Sequence, residues 1–457
     1  MWRDESVTYQ VAHRTSGEIW ALLGNIDAVH GFYYFIMHAV FGVWDGGLIA
    51  LRVPSVIATV VAAAGVGAIG ARMAGPRAGV LAGTTFAIIP MVQQYAQEGR
   101  SYALVSAAVV WASYFFVRAI EDGKQYVWAA YSLLIVAAGW LHEFAALVLV
   151  AHGVTLLLVT APLRVRLTWL FSATVSVIML LPLAVISVGQ SGQQLGWLGR
   201  PGLSVWFQSL AISAAGMLMG YFITHNKPAS ITASLSTRLP LSSLALPLLV
   251  VPSGLLLAIS IVKPWYVDRY VLYSVTGLAL LAGVALDLAL RLWKLLGLGT
   301  RRMIGCFAVL GLLAILLPWS LAIRSPDSRK DDAVAVAAVV AAQALPGDAV
   351  VFMPARRREW LLSAPATYHK TNDLLLKSSP AASRTLQGVE VEPEIIRSRI
   401  LEEGRIIALT DPPGQPRDTT VEEAVKREVL REHFKPCLRF NVRGAQITVY
   451  AKLKNCP

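Results

Sequence analysis

Ile49-Ala50-Leu51-Arg52-Val53-Pro54-Ser55-Val56-Ile57-Ala58-Thr59-Val60-Val61-Ala62-Ala63-Ala64-Gly65-Val66-Gly67-Ala68-Ile69-Gly70-Ala71 carries a single charge, at Arg52. An apolar run of this length reaches across a hydrocarbon core of ~30 Å as a helix rising ~1.5 Å per residue. Reading outward, runs near spanning length recur at 79–95, 102–120, 126–141, 144–160, 168–188, 207–224, 240–262, 271–293 and 303–322. Together they predict a polytopic α-helical membrane protein of about ten transmembrane helices. Composition agrees, with 56% hydrophobic and 15% charged residues against about 25% charged in soluble domains.

The net charge of +12 raises the question of nucleic acid, but no basic stretch is interleaved with stacking aromatics, and nucleic acid is excluded as a partner. The charges separate by membrane side instead. With the first residues outside, the inner connections carry Arg72, Arg77, Arg118, Lys124, Arg164, Arg166, Lys227, Arg238, Arg291, Lys294, Arg301 and Arg302, and the acids show the reverse bias. Excess Lys and Arg marks cytoplasmic loops. The expected location is therefore the plasma membrane, multi-pass, with both ends extracytoplasmic. No cleavable signal peptide is visible, so insertion relies on the internal segments.

Residues 1–48 read as a first external loop with short interfacial helices, 49–323 as the transmembrane bundle, and 324–457 as a separate extracytoplasmic α/β domain. The tail shifts to 21 basic and 17 acidic residues. Its pattern predicts helices near 331–344, 393–403 and 420–433, strands over 348–352 and 405–409, and a hairpin of 438–442 with 446–451. Arg356-Arg357-Arg358 reads as a solvated face, with an anionic glycan or lipid headgroup as the alternative. Cys306 lies in an apolar run as a small buried hydrophobe, whereas Cys437 and Cys456 bracket the hairpin and can form one bridge in an oxidising compartment.

Gly65-Val66-Gly67-Ala68-Ile69-Gly70 matches a dinucleotide fingerprint, but no strand precedes it and no acid follows at the required distance. Close helix packing through small residues accounts for it, and for Gly79 and Gly83.

The predicted outer connections hold the unusual polar groups of the membrane part. These are Asp4 and Glu5, Asp27 and His30, Arg52, Glu98 and Arg100, His142-Glu143, and the stretch from Lys263 through Asp268 and Arg269 to Tyr270. Intramembrane-edge charges are costly, so their grouping on one face points to chemistry. Transfer of a sugar from a lipid phosphate needs no strong acid catalyst, because phosphate is already a good leaving group. One carboxylate then suffices as general base, with cations neutralising the phosphate. Asp4 or Glu5 supplies the carboxylate, Arg269, Arg100, Lys263 and His142 face the phosphate with Tyr270, and Glu98, Asp27 and His30 serve as second acid or acceptor contacts. Blander accounts stand beside this one. Adjacent acids at a chain start are more often solvated, Arg52 can snorkel, Arg269 can anchor an aromatic belt, and His142-Glu143 can hydrogen-bond neighbouring helices.

The ordered set Trp2-Arg3-Asp4-Glu5 with Thr8, Asp27 and His30 before Phe32-Tyr33-Tyr34, Ala50-Leu51-Arg52-Val53-Pro54-Ser55, Tyr95-Ala96-Gln97-Glu98-Gly99-Arg100-Ser101-Tyr102-Ala103-Leu104 and Asp268-Arg269-Tyr270 resembles the GT-C membrane glycosyltransferases. Within them it is similar to bacterial relatives of protein O-mannosyltransferases and of the lipid A aminoarabinose transferase. The resemblance covers most of 1–290; the tail resembles extra periplasmic domains of some members. It implies Asp4 as catalytic base, Glu98 as a loosely matched second acid, a polyprenyl-phosphate sugar donor, often mannose, and inversion at the sugar carbon. Some relatives bind a divalent metal near the donor; its ligands are not clearly reproduced, and no metal is assigned. In the family a transmembrane helix precedes the acidic loop, whereas here the loop starts at residue 2, so weak activity is expected of the chain as written.

The sequence thus predicts a polyprenyl-phosphate-dependent glycosyltransferase acting among membrane lipids, with mannose as the expected sugar and a glycan, glycolipid or protein as acceptor. A lipid or polysaccharide transporter is the alternative, disfavoured by the scarcity of mid-membrane polar groups and the lack of repeated halves. A noncatalytic scaffold is the third.

Overall fold

The computed structural model describes residues 1–196, 198–226, 239–293 and 298–452. The chain divides into two compact units: residues 1–26, 34–51 and 322–457 form one, and 27–33 with 52–321 form the other.

The second unit is a helical bundle. Each of the ten apolar runs is helical: Gly47–Ala74, Pro76–Ile88 with Pro90–Ala96, Tyr102–Asp122, Gln125–Leu141, Leu147–Leu158, Leu163–Leu195, Leu203–His225, Leu241–Ile259, Val275–Trp293 and Leu298–Ala322. Six helical segments are long and apolar enough to cross a membrane, and the protein is a multi-pass membrane protein. The run expected over 79–95 as one helix is broken at Ile89, whose ψ of 123° leaves the helical region before Pro90. Proline lacks the N–H that would continue the ladder and disfavours helical backbone in the residue before it.

Small residues bring these helices together. A methyl group on Gly70 would stand 2.9 Å from the Gly79 Cα, and one on Gly83 2.8 Å from the Ala63 carbonyl oxygen. The Gly65–Gly70 motif therefore serves backbone approach, the role that small residues play where lipid supplies no hydrophobic driving force.

In the first unit, the tail folds as a three-layer α/β domain. Its strands are β1 (Ala349–Met353), β2 (Asn372–Asp373), β3 (Leu376–Ser378), β4 (Val389–Glu390), β5 (Arg405–Thr410), β6 (Lys435–Val442) and β7 (Ala445–Ala451). The main sheet runs β2-β1-β5-β7-β6, and β3 pairs with β4 separately. β1 is parallel to both neighbours, while β7 is antiparallel to β5 and β6. Alternation sends Val350, Phe352, Ile407 and Leu409 against the helix Ala333–Gln343. Ala349, Val351, Ile406 and Ala408 face the helices Pro393–Glu402 and Val421–His433. Burial on both faces explains the unbroken apolar run of β1. The hairpin turns at Arg443-Gly444, where Gly444 takes φ +73°, a conformation that glycine adopts without steric cost.

Residues near the N-terminus join this unit. Helices Arg3–Ala12 and Ser16–Leu23 bury Val7, Val11, Ile19 and Leu22 together with Tyr34, and Leu386 of the tail packs on the same cluster. Thr15 starts the second helix with a capping box, its side chain accepting from Glu18 N while Glu18 reaches back to Thr15 N at 2.9 Å.

The expected solvated face at 356–358 is not what the structure shows. Arg358 is fully buried, donating to Asp373 and Glu390, and Arg357 pairs with Asp411. Only Arg356 remains substantially exposed. A planar fork of five donors satisfies buried carboxylates where a solvated charge would be wasted. Cys306 is exposed rather than buried, because its helix turns that side outward, as an apolar residue in lipid can do. The expected pairing of Cys437 with Cys456 lies outside the described residues.

Candidate active site

Within the bundle, the turn before helix Gly31–Val43 carries Asp27 in left-handed backbone, φ 64°. That conformation is uncommon outside glycine, though aspartate tolerates it. It aims the Asp27 carboxylate at His30, whose Nδ1 lies 2.7 Å from Asp27 Oδ1. Arg100 Nη2 donates to His30 Nε2 at 2.7 Å. All three side chains are buried. The Gln190 side chain accepts from Ala28 N at 2.9 Å, tying the turn to the end of helix Leu163–Leu195.

The 97–101 segment that presents Arg100 is held from below by Ser55, whose hydroxyl donates to the carbonyls of Glu98 at 2.7 Å and Arg100 at 3.2 Å. Glu98 itself is buried. Burying these groups without compensation would cost several kcal/mol each, so the hydroxyl contacts are part of how the turn persists.

An aromatic wall adjoins the row. The His142 ring is 6.1 Å from that of His30 and 4.5 Å from that of Tyr270. Tyr102 lies 5.8 Å from His142, and Tyr95 5.7 Å from Tyr102. Arg269 Nε donates to Tyr102 Oη at 3.1 Å, and its guanidinium sits 5.7 Å from the ring centres of both Tyr102 and Tyr270. The Tyr95 hydroxyl donates to Asp268 Oδ1 at 3.1 Å, which also accepts from Arg269 N. In the connection after helix Gln125–Leu141, burial pushes the His142 imidazole well below its usual pKa, and nearby His30, Arg100 and Arg269 add to this. A neutral imidazole between two guanidiniums leaves them their full charge for an anion.

The bundle therefore gathers Asp27, His30, Arg100, His142, Arg269 and Tyr270 from four separate stretches of sequence. Lys263 is exposed, and among the described residues no ion pair engages its ammonium. Tyr95, Tyr102, Ser55 and Gln190 carry no role that sequence reasoning reaches. A glutamine-rich end to a long apolar helix, with glutamines at 190, 193 and 194, is the one signal that points to Gln190.

In the other unit, the two acids at the chain start part company. Glu5 is fully buried and accepts from Trp2 N at 3.3 Å, capping its helix. Asp4 keeps access to solvent, with Arg3 Nε 3.8 Å from its Oδ1. Among the described residues, no group of three or more His, Cys, Asp or Glu is placed to hold a metal ion.

A bundle of membrane-spanning helices joined to a mixed α/β domain, with a buried acid–imidazole–guanidinium row, is the architecture of a multi-pass membrane protein built for polar chemistry. Residues 30–186 match the family described as dolichyl-phosphate-mannose-protein mannosyltransferase. The fold is similar to the apo crystal structure of ArnT from Cupriavidus metallidurans, at 14% identity and a TM-score of 0.59 over 97% of this chain and 93% of that one. The same protein bound to undecaprenyl phosphate aligns at 14% identity and 0.56, over 98% and 93%. No curated protein matches the chain by sequence. The chain thus shares the fold of ArnT, and its residues 30–186 carry the match to the mannosyltransferase family.

Proposed function

We propose that the protein transfers a sugar, with mannose the first candidate, from a polyprenyl phosphate to an acceptor hydroxyl outside the cytoplasmic membrane, inverting the sugar carbon. Asp4 takes the acceptor proton. The acceptor oxygen forms a bond to the sugar carbon as the bond to the phosphate oxygen breaks, and the electron pair leaves with the phosphate. Arg100 and Arg269 neutralise that anion through charge-assisted hydrogen bonds. The Asp27–His30 pair holds Arg100, and Tyr102 holds Arg269. Glu5 supports the helix that carries Asp4.

The observation that carries this reading is the convergence of two buried or half-buried guanidiniums, Arg100 and Arg269, on one aromatic-walled site beside His30 and His142. The family match over 30–186 supports mannose, and the undecaprenyl phosphate bound by the similarly folded ArnT supports the donor class. Membranes containing the native protein, Asp4→Asn or Arg269→Ala are to be supplied with a panel of radiolabelled polyprenyl-phosphate sugars. Transfer by the native protein and its loss in both variants is expected. Absence of transfer from every donor would overturn the proposal.

A further inference from the structure

Helix Arg3–Ala12 is fastened to the tail along its length. Ala333 N donates to Met1 O at 2.9 Å, Ser363 Oγ to Ser6 Oγ at 3.1 Å, and Gln10 Nε2 to Leu386 O at 2.7 Å. Arg14 Nη2 donates to Thr385 O at 3.0 Å just beyond the helix. The first turn carries the contact that bears on chemistry. Asp331 Oδ1 accepts from Arg3 N at 2.7 Å, and Asp331 Oδ2 accepts from the Trp360 indole at 3.3 Å. Arg3 Nε then stands 3.8 Å from Asp4 Oδ1 and 3.9 Å from Glu359 Oε2, one cation shared between two carboxylates. Glu359 is buried beside Trp360.

We propose that Asp331 and Glu359 are positioning residues for Asp4, holding Arg3 so that its guanidinium orients the Asp4 carboxylate and divides its charge between the two acids. This rests on the proposed role of Asp4 as base, and it gives the tail domain a part in the transfer reaction. Asp331 fixes the backbone from which both Arg3 and Asp4 project. Glu359 sets how the cation is placed: when Glu359 is ionised the guanidinium is shared, and when it is neutral the guanidinium pairs with Asp4 alone and occupies the carboxylate that takes the proton. The charged groups around Glu359 are Arg3, Asp4, Arg357 and Asp331, with Asp411 acting on Arg3. Burial raises the Glu359 carboxyl to about 7, with Arg3 opposing and Asp4 reinforcing the shift, so the sharing changes within the working range of pH.

The test is the pH dependence of transfer by the full-length protein in membranes, using radiolabelled polyprenyl-phosphate mannose or the panel sugar that gives transfer. Native protein is compared with Glu359→Gln, Asp331→Asn, Arg3→Lys and Arg3→Ala, and limited proteolysis reports on the tail. Glu359→Gln is expected to lower kcat about two- to threefold above about pH 7, where the native carboxyl is ionised, and to leave it unaltered at lower pH, with the donor KM unchanged. Arg3→Ala is expected to lose transfer about 10-fold, with partial recovery in Arg3→Lys. An unaltered kcat profile in folded Glu359→Gln, alongside an inactive Asp4→Asn, overturns the positioning role while leaving the base intact. Full transfer by Asp4→Asn overturns the base itself. Should Glu359→Gln be degraded, the Arg3→Lys and Asp331→Asn profiles decide the question, equal profiles counting against the proposal.

Discussion

Arg100 donates to Nε2 of His30 across 2.7 Å, and this one contact fixes the chemistry of the imidazole. A guanidinium only donates, so Nε2 presents a lone pair and the ring proton resides on Nδ1, facing Asp27 at 2.7 Å. The row carries a negative end at Asp27 and a positive end at Arg100, with a neutral ring between them. Asp27→Asn keeps an acceptor for the Nδ1 proton, whereas Asp27→Ala leaves it unpaired. The expected order of transfer activity is native, then Asp27→Asn, then Asp27→Ala. The alanine change costs about 1.5–3 kcal/mol, or roughly 10- to 100-fold. Measured rates in that order, with the donor KM rising most in Asp27→Ala, confirm the relay.

Stability of the tail should fall as pH rises. Burial raises the folded-state carboxyl of Glu359 to about 7 from an ordinary value of 4.5. A raised carboxyl favours the protonated folded form, so its stabilising contribution is complete below about pH 4.5 and is lost as pH climbs to about 7. The difference is on the order of 2–3 kcal/mol. Thermal unfolding of the full-length protein in detergent, followed from pH 4.5 to 7.5, should show a steeper decline for the native chain than for Glu359→Gln, which stays neutral throughout.

Most of the architecture could be read from apolar length and alternation. The ten membrane runs are helices because run length against bilayer thickness is a local property, and β1 and β5 declare themselves as short, continuously apolar runs buried on both faces. Contacts distant in sequence were not legible. Nothing in Arg3-Asp4 foretells Asp331, 328 residues away, or the sharing of Arg3 with Glu359. In the same way, the Arg356–Arg358 triplet has the composition of a solvated patch, and only the fold reveals carboxylates waiting at Asp373 and Glu390. The site was partly legible: Asp27, His30, Arg100, His142 and Arg269 stood out as charges in apolar surroundings, but Tyr95 and Tyr102 resemble ordinary helix aromatics until Asp268 and Arg269 are placed against them.

Helix contact at glycine predicts a sharp positional contrast. A side chain on Gly79 would collide with the Gly67 carbonyl and stand 2.7 Å from the Ala71 Cβ, whereas one on Gly254 meets nothing within 4 Å. Backbone against backbone cannot yield as a flexible side chain can, so Gly79→Val should destabilise the bundle by roughly 1–3 kcal/mol or more. Gly254→Ala should leave the melting temperature in detergent within about one degree or raise it slightly. Equal melting of the two variants would contradict the packing role assigned to Gly79.

Arg356 and Arg358, two residues apart, should differ widely in what their loss does. Arg358 has no solvent exposure and donates from Nε to Asp373 at 2.6 Å and from Nη2 to Glu390 at 2.8 Å. Asp373 also accepts from the Tyr368 hydroxyl at 2.7 Å, and Glu390 accepts from the buried Lys426, which bonds Glu423 in turn. One guanidinium thus joins the 3-10 turn after β1 to β2 and β4 and, through Glu390 and Lys426, to helix Val421–His433. Removing it takes the cation from the buried Asp373 and leaves Glu390 with Lys426 alone, a loss of about 3–5 kcal/mol. Arg356 is 43% exposed and pairs with Asp418 at 3.2 Å, a contact worth about 0–1 kcal/mol because water screens it. Arg358→Ala should therefore expose the tail to limited proteolysis under conditions where Arg356→Ala resists it. Because Asp373 is left without its cation while Glu390 keeps Lys426, adding Asp373→Asn to Arg358→Ala should restore part of the lost resistance, an outcome that a purely steric role for the arginine would not produce.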